Sequence, residues 1–384
     1  MYLYRKARFR RQLMLIIKIF MILSLFIFIV FPFIFKKSVF LQKAIVFMNF
    51  VKYDEQFDFT QADNIEGIKN IYIFYCDPEI KISTCIITLG IWHIIPSNDN
   101  KFIISADKSN LIQKNNLNDS KNDYVISDVR ASFSNDEQLA SSWSLGCGAE
   151  MADGKPVVLY LHGNTGSRAL NYRINTYKLL QKLGCHVVAM DYRSFGDSTN
   201  IEPTENGVVK DAIAVYKWIS SIAKGPIILW GHSLGSAVAT HMLCSIQNKM
   251  NGPNIVILES AFTNMYEEIY AHKFSLLFRF LPWFDYTIRQ AIIENGITFN
   301  SDQYVSCFHQ PILFLHAVDD RTVPLELGYK LFRTARRGRD KSWGPTEFHR
   351  YAASKNLGHR YISSDNDTHF IVRNFLSSYA AERY

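Results

Sequence analysis

Residues 226–235, with the sequence Pro-Ile-Ile-Leu-Trp-Gly-His-Ser-Leu-Gly, decide the fold of this 384-residue chain. An apolar run at 226–230 leads into a Gly-x-Ser-x-Gly motif, and a helical period at 236–247 follows the motif. A serine between a buried strand and a helix sits in a strained turn, and small residues must flank it because larger side chains would collide with the neighbouring strand and helix. The pattern therefore predicts that the hydroxyl of Ser233 stands at the carboxyl end of a strand as a nucleophile.

Four more continuous apolar runs surround this unit, at 156–161, 185–191, 254–258 and 311–316. Strands that are buried on both faces of a parallel sheet have this texture. Helical periods alternate with the runs, at 168–183, 207–223, 236–247 and 325–336. The alternation predicts an α/β fold, a mostly parallel sheet with helices on both faces. Shorter β-rich runs at 71–75 and 86–95 predict antiparallel strands that lead into this sheet.

A serine hydroxyl becomes a nucleophile when a base removes its proton and an acid fixes the tautomer of that base. Two acids, Asp319 and Asp320, follow the last apolar run on one loop. We predict Asp320 as the acid because of its spacing to Val323-Pro324. Glu259, which follows the preceding run, is an alternative acid, although a hydrogen bond within its own loop is the role that we favour for it.

Three histidines near the carboxyl terminus compete for the role of base. His349 falls within a predicted strand at 346–351, and His369 lies in a predicted final helix. His359 lies in the loop between these two elements, where a general base can reach a serine on a neighbouring loop. The sequence therefore predicts His359 as the base.

The oxyanion that forms during acyl transfer needs backbone donors that are already in place. Leu234, the residue after the nucleophile, is predicted to give one N–H, and Asn164 or Thr165, after the first parallel strand, is predicted to give the other. The alternative use of 161–166 as a phosphate-binding loop is disfavoured because the chain has no Gly-Lys-Ser/Thr and no Gly-x-Gly-x-x-Gly. No cofactor is therefore expected, and no clustered pattern of His, Cys and Asp predicts a metal.

The net charge of +7 is concentrated at the amino terminus, since residues 1–50 contain nine Lys and Arg and no Asp or Glu. The rest of the chain carries a net charge of −2, so it presents no field for a polyanion, and no nucleic-acid partner is expected. A hydrophobic content of 48% excludes intrinsic disorder, and six cysteines are too few for a disulfide-dense scaffold.

Residues 13–35 contain one charge, Lys18, and are long enough to span a bilayer. A cleavable signal peptide has a shorter apolar run followed by small residues, whereas Lys36 and Lys37 follow here. We therefore predict an uncleaved transmembrane signal anchor rather than the buried helix of a soluble core. The basic segment 1–12 then stays in the cytosol, and everything after residue 35 lies on the lumenal side.

Beyond the anchor, we predict a juxtamembrane segment at 36–84 and a catalytic domain at 85–384. Residues 105–142 are rich in Asn, Asp, Ser and Lys and predict a polar insertion. Residues 265–308 separate two predicted strands and predict a lid. Its dense apolar residues, Phe278 and Trp283 among them, can line an acyl pocket, dip into a bilayer interface or simply pack on the core.

The cysteines and two sequons indicate which cellular compartment could contain the part of the chain after the anchor. Cys76 and Cys85 are close enough in sequence to pair, whereas Cys185 and Cys244 fall in apolar segments and are expected to be buried thiols. Asn118 and Asn366 begin Asn-x-Ser/Thr sequons, which agree with a lumenal body but arise often by chance.

Taken together, the motifs resemble those of the α/β-hydrolase domain-containing protein 12 family of membrane-anchored serine lipases. The matching stretches are GIWH (90–93), LYLHGNTGSRA (159–169), MDYRSFGDS (190–198), LWGHSLGSAVAT (229–240), LESAFTN (258–264), LHAVDDRTVP (315–324) and LGHRYI (357–362). The resemblance covers about 85–375 together with the anchor, and it leaves 105–142 without a counterpart.

This resemblance implies an α/β-hydrolase fold and a triad of Ser233, Asp320 and His359. It implies hydrolysis of lysophospholipids, especially lysophosphatidylserine, and of monoacylglycerols at the endoplasmic reticulum membrane, with the active site in the lumen. No obligate protein partner is evident. Two other functions stay open on such a fold: an acyl-protein thioesterase, which acts in the cytosol, and a non-catalytic hydrolase-like binding protein.

Overall fold

The computed structural model describes residues 2–49, 58–59, 65–80, 85–97, 148–247 and 249–380. The predicted polar insertion at 105–142 and the sequon at Asn118 lie outside these residues. Within them, eight strands form one sheet in the order β1-β2-β4-β3-β5-β6-β7-β8. The strands are β1 (Ile68–Cys76), β2 (Ile86–Ile94), β3 (Val157–Leu161), β4 (His186–Met190), β5 (Ile227–His232), β6 (Ile255–Glu259), β7 (Ile312–Ala317) and β8 (Thr346–Tyr351).

Strands β3 to β8 pair in parallel, and β2 is antiparallel to both β1 and β4. The predicted mostly parallel sheet with antiparallel leading strands is confirmed. Val157 and Leu159 enter one core cluster, whereas Val158 and Tyr160 enter the other. Because a strand repeats every two residues, a run that is apolar throughout fills the cores on both faces of the sheet.

Helices cover both faces of the sheet, as predicted. They are α1 (Tyr2–Leu25), α2 (Phe31–Lys37), α3 (Val39–Phe47), α4 (Asn171–Lys182), α5 (Glu205–Ile222), α6 (Leu234–Ile246), α7 (Met265–Ala271), α8 (Gln290–Glu294), α9 (Ser301–Tyr304), α10 (Leu325–Gly338) and α11 (Asn366–Tyr379). Helices α4 and α11 pack on one face, and α5, α6 and α10 pack on the other. The segment between β6 and β7 contains α7, α8 and α9 with a 3₁₀ turn at Lys273–Leu277 and a π turn at Asp285–Arg289.

The amino-terminal helical stretch Tyr4–Lys37 is long and apolar enough to cross a membrane. It contains α1, a π segment at Phe26–Val30 and α2. Large apolar side chains are exposed along it from Leu13 to Ile34, which suits a lipid solvent better than a protein core. This stretch fits a single-pass membrane anchor.

The chain joins the protein body directly after the anchor. Phe35 and Phe47 are buried in the same core cluster as α5 and α6. Gln42 is fully buried and donates a side-chain hydrogen bond to the carbonyl of Phe35. Ser38 accepts a hydrogen bond from the Leu41 N–H and so caps α3. This juxtamembrane stretch is therefore part of the fold.

Two disulfides are present among the described residues. Cys76 pairs with Cys85, as the sequence allows, and Cys185 is a buried thiol, as predicted. The prediction for Cys244 is wrong, because Cys244 is paired with Cys307, 63 residues later in the chain. An apolar helical context correctly indicates that Cys244 faces the interior, but it carries no information about a partner so distant in sequence.

Candidate active site

Ser233 occupies the turn between β5 and α6 with a φ of 54°, a backbone conformation that few non-glycine residues adopt. A Cβ at Gly231 would lie 2.4 Å from the carbonyl oxygen of Gly235, and a Cβ at Gly235 would lie 2.0 Å from that of Leu161. Glycine is therefore required at both positions for the strand and the helix to pack this closely. The structure thus supplies the steric reason that the sequence motif predicts.

Ser233, His359 and Asp320 meet at the carboxyl edge of the sheet. His359 Nε2 lies 3.0 Å from Ser233 Oγ, and His359 Nδ1 lies 2.7 Å from Asp320 Oδ2. The other oxygen of Asp320 accepts the N–H groups of Thr322 and Val323 at 2.8 and 3.0 Å. Such a chain of contacts can transfer a proton from serine to histidine while the carboxylate fixes the tautomer of the imidazole.

Asp320 is buried, which by itself would raise its pKa. The charge of His359 and the hydrogen bond from it outweigh burial, and together with His316 and the Thr322 N–H they lower the pKa of Asp320 to about 2. The carboxylate is consequently ionised throughout the physiological range, and it can stabilise a histidine that has just taken a proton.

Two residues outside the predicted triad hold the loop of His359. Asp319 Oδ2 accepts the Gly358 N–H at 3.0 Å. His232 Nε2 lies 2.9 Å from the carbonyl oxygen of His359. Burial lowers the pKa of His232 well below its usual value, so the neutral ring donates its Nε2–H to that carbonyl. Sequence reasoning missed this role because His232 occupies the variable position of its motif.

The alternative acid and bases lie elsewhere. Glu259 accepts the indole N–H of Trp230 at 2.9 Å, whereas His349 lies in β8 and His369 in α11. Among the described residues no side-chain hydrogen bond joins any of these three candidates to Ser233, although the Ser233 N–H donates to the backbone carbonyl of Glu259 at 2.9 Å. The same residues include no group of three or more His, Cys, Asp or Glu side chains that could hold a metal ion.

Replacing Glu259 by glutamine is expected to preserve activity and to increase stability at alkaline pH. Burial, opposed by the Trp230 hydrogen bond, raises the pKa of Glu259 from 4.5 to about 7. Because the folded state resists ionisation, the free energy of unfolding falls as the pH rises from about 4.5 to about 7, by roughly 3 kcal/mol, and glutamine removes this loss. Denaturant unfolding of both proteins at pH 5 and pH 8 measures the effect, and a hundredfold loss of activity would identify Glu259 as the acid instead.

The loop after β3 turns its carbonyl groups toward one buried cation. The guanidinium of Arg173 donates to the carbonyl oxygens of Gly163, Thr165 and Ser167. In a trans peptide the N–H points away from the preceding carbonyl, so the N–H of Asn164 points away from Arg173. The arginine therefore fixes the orientation of the amide that follows Gly163.

The loop after β3 lies between Ser233 and the end of α3. A Cβ at Gly163 would lie 3.4 Å from Ser233 Cβ, and the side-chain amide of Asn164 donates to the carbonyl oxygen of Val46 at 3.0 Å. Leu234 is the first residue of α6, where an N–H has no partner within the helix. The three predicted oxyanion donors thus belong to two segments that both adjoin Ser233.

The two lid candidates contact the anchor. The ring of Phe278 lies 6.0 Å from that of Phe28, and the ring of Trp283 lies 6.5 Å from that of Phe33. No ring contact or hydrogen bond joins Phe278 or Trp283 to the triad within the described residues. The structure thus brings the triad together and places these two aromatic residues against the membrane helix.

The strained serine beside a histidine and a carboxylate, at the edge of a parallel sheet covered by helices, defines the class of this protein as a serine hydrolase of the α/β-hydrolase fold. Residues 156–356 match the family model of the alpha/beta hydrolase fold. The chain is 33% identical over 351 residues to the lysophosphatidylserine lipase ABHD12 of Danio rerio, covering 91% of this chain and 81% of that protein. It therefore belongs to the α/β-hydrolase domain-containing protein 12 family, and the resemblance seen in the sequence motifs is confirmed.

Two further comparisons agree with this assignment. The lysophosphatidylserine lipase ABHD12 of Mus musculus is 32% identical over 357 residues, which cover 93% of this chain and 79% of that protein. Among solved structures, the Pyrococcus furiosus esterase Pf2001 aligns with a TM-score of 0.52 at 16% identity, over 85% of this chain and 96% of the esterase. The structural likeness supports the fold, and the sequence likeness supports a carboxylic ester hydrolase.

Proposed function

We propose that this protein is a membrane-anchored serine hydrolase that cleaves the acyl ester of lysophospholipids, above all lysophosphatidylserine, and of monoacylglycerols. The observation that carries the proposal is the position of His359, whose two ring nitrogens contact Ser233 Oγ and Asp320 Oδ2 at hydrogen-bonding distances. The choice of substrate rests on the relatives, which are named lysophosphatidylserine lipases.

In the proposed mechanism, His359 Nε2 takes the proton of Ser233 Oγ while that oxygen attacks the ester carbonyl. Asp320 stabilises the imidazolium that results. Collapse of the tetrahedral intermediate breaks the ester bond, and His359 returns its proton to the departing alkoxide, which leaves as glycerol or glycerophosphoserine. Water, activated by the same histidine, then hydrolyses the acyl-enzyme and frees Ser233.

The oxyanion is proposed to accept hydrogen bonds from the backbone N–H groups of Leu234 and Asn164. Leu234 has the donor at the start of a helix, where the helix dipole also favours negative charge. Asn164 is preferred to Thr165 because its amide follows the Gly163 carbonyl, which Arg173 holds on the opposite side. Both donors would be fixed before the substrate binds, so no reorganisation is needed as the charge develops.

We also propose that the catalytic domain lies in the lumen of the endoplasmic reticulum, with the amino terminus in the cytosol. The pairs Cys76–Cys85 and Cys244–Cys307 support this orientation, since disulfides persist in oxidising compartments and are rare in the cytosol. Asn366 of the second sequon is exposed at the first turn of α11, so its side chain is accessible from solvent.

A substrate panel tests the proposed activity. The full-length protein in liposomes is given lysophosphatidylserine, lysophosphatidylcholine with the same acyl chain, monoacylglycerol and an S-acylated peptide. We expect fatty acid to be released fastest from lysophosphatidylserine, and also from monoacylglycerol. Cleavage of the S-acylated peptide alone would replace the proposal by a thioesterase, and absence of any turnover or labelling by a fluorophosphonate would replace it by a binding protein.

Protease protection tests the proposed orientation. Intact microsomes carrying the protein, with one epitope at each terminus, are treated with protease from outside. The carboxyl-terminal epitope is expected to survive until detergent is added, whereas the amino-terminal epitope is expected to be lost at once. Digestion of the carboxyl-terminal epitope in intact microsomes would place the body in the cytosol.

A further inference from the structure

The tip of the inserted segment, residues 273–283 and hereafter the lid tip, is docked on the membrane anchor. The indole N–H of Trp283 donates to the carbonyl oxygen of Phe28 at 2.9 Å. The ring of Phe28 lies 6.0 Å from the ring of Phe278 and 6.1 Å from that of Phe280. These contacts join residues some 250 positions apart in the chain, so they fix the lid tip beside one turn of the anchor.

The hydrogen bond from Trp283 supplies a donor at a turn of the anchor where backbone donors are missing. The helical hydrogen bonding of the anchor is interrupted at this turn, because the Phe31 N–H bonds to the carbonyl of Phe26, five residues earlier, and Pro32 has no N–H to donate to the preceding turn. In the hydrocarbon of a bilayer no water can replace the missing donor. The indole of Trp283 does so, and the anchor in turn satisfies an indole N–H that would otherwise be costly to bury.

The depth of the contact between Trp283 and Phe28 can be measured along the anchor from Lys36. Phe28 precedes Lys36 by eight residues, which corresponds to about 12 Å along a helix. Lys36 marks the polar boundary, where it pairs with Glu294 at 2.9 Å and lies 4.0 Å from the centroid of the Tyr286 ring. The inserted segment therefore reaches from this boundary well into a hydrocarbon half-layer of about 15 Å.

The free surface of the lid tip is apolar. The exposed fractions are 67% for Phe274, 53% for Leu276, 58% for Leu277 and 68% for Phe280. Large apolar side chains clustered on a surface mark an interaction site, and here the cluster continues the exposed apolar face of the anchor. Two exposed cations, Lys273 and Arg279, lie in the same stretch, and their long side chains can extend to the headgroups.

The helix that precedes the lid tip lies within electrostatic range of the triad. Helix α7 begins six residues after β6 and leads directly into the lid tip. Glu268 of α7 is nearly fully buried, and burial followed by the charge of Asp320 raises its pKa to about 8. His272, at the end of α7, also interacts electrostatically with His359 and Asp320. One short helix thus connects the active site with the part of the chain that docks on the anchor.

We propose that the lid tip is inserted into the acyl-chain region of the leaflet that holds the anchor, and that lipid substrate reaches Ser233 laterally from that leaflet. Ser233 is only 7% exposed, so a neighbouring part of the structure must move to admit a lipid, and in this proposal that part is α7 with the lid tip. Insertion of the lid tip is independent of the enzyme's substrate, whereas the entry route rests on the proposed function.

Depth-dependent quenching tests the insertion. Bimane is attached to two full-length variants, Leu277→Cys and Phe280→Cys, in phosphatidylcholine–phosphatidylserine liposomes. Ser378→Cys, on the opposite face of the sheet, is the control, and the unsubstituted chain gives the background labelling. Labels at 277 and 280 are expected to be quenched by lipids brominated in their acyl chains and protected from iodide, and the label at 378 is expected to show the reverse. Iodide access at 277 and 280 equal to that at 378 overturns the proposal.

Activity tests the route. The double variant Leu277→Asp/Phe280→Asp is expected to lose about tenfold or more of its turnover of long-chain lysophosphatidylserine in bilayers, because charges resist insertion, while a water-soluble short-chain ester is hydrolysed as before. Phe370→Asp, which changes an exposed aromatic residue on α11, is the matched control and should lose neither activity. Equal loss on both esters, or no loss on either, overturns the lateral route, whereas failure of the unchanged protein on the lysophospholipid alone contradicts the proposed function.

Discussion

Replacement of Ser233 by alanine is expected to lower kcat for ester hydrolysis by about 10⁴-fold to 10⁶-fold and to abolish labelling by a fluorophosphonate. The hydroxyl is the atom that would form the acyl-enzyme, and His359 has no other hydroxyl within hydrogen-bonding distance among the described residues. Alanine keeps the Cβ and the strained φ of 54°, so the variant should fold with unchanged stability. Probe labelling and fatty-acid release measure the two effects.

Ser260 offers a matched control for this experiment. It follows β6 at the same edge of the sheet, it also has a positive φ of 49°, and its buried hydroxyl has no hydrogen-bond partner in the described part of the chain. No histidine of the described residues is hydrogen-bonded to its hydroxyl, so Ser260→Ala should retain both labelling and turnover. Persistent labelling of the Ser233→Ala protein, or its loss in Ser260→Ala, would mean that the nucleophile has been assigned to the wrong serine.

Asp320→Asn is expected to reduce kcat by roughly 10³-fold to 10⁴-fold with little change in KM. An amide at this position cannot stabilise the imidazolium, and its NH₂ group favours the wrong tautomer of His359. Asp320 Oδ1 accepts hydrogen bonds from two backbone N–H groups. The amide oxygen of asparagine can accept the same two bonds, so the loop should keep its shape. Steady-state kinetics on a soluble ester give both parameters.

The neighbouring acid gives the comparison that decides the assignment. Within the described residues the Asp319 side chain accepts one hydrogen bond, from the backbone N–H of Gly358, so Asp319→Asn can keep that bond through its amide oxygen and should cost about tenfold or less. The two variants change the same charge at adjacent positions of one loop. A larger loss for Asp319→Asn than for Asp320→Asn would reverse the roles assigned to these two residues.

The sheet and the triad candidates could be predicted from the sequence because their signals are local. Strands β3 to β7 are short apolar runs that end in polar turns, and Ser233 and Asp320 directly follow two of them. His359 was separated from His349 and His369 by its loop position alone, and the structure places the other two in β8 and α11. The glycines on both sides of Ser233 indicate that no side chain fits there, and the close packing of β5 and α6 explains why.

Contacts between distant segments could not be predicted in this way. Cys244 and Cys307 are 63 residues apart, and an apolar pattern shows that a side chain is buried without showing what it meets. The bond between Trp283 and Phe28 joins residues separated by 255 positions, and the interruption of helical hydrogen bonding around Pro32 that it accompanies becomes apparent only in the structure. The role of His232 was hidden for the same reason, since it depends on the carbonyl of His359.

The short connection after the anchor limits the reach of the enzyme. Helix α2 ends at Lys37 and α3 begins at Val39, so the single residue Ser38, a span of about 3.5 Å, is the whole link. Helix α3 is itself bonded to the loop beside the nucleophile through Val46 and Asn164. We therefore expect a catalytic domain held this closely to be unable to reach a facing membrane and to act in cis, on lipids of the bilayer in which it is anchored.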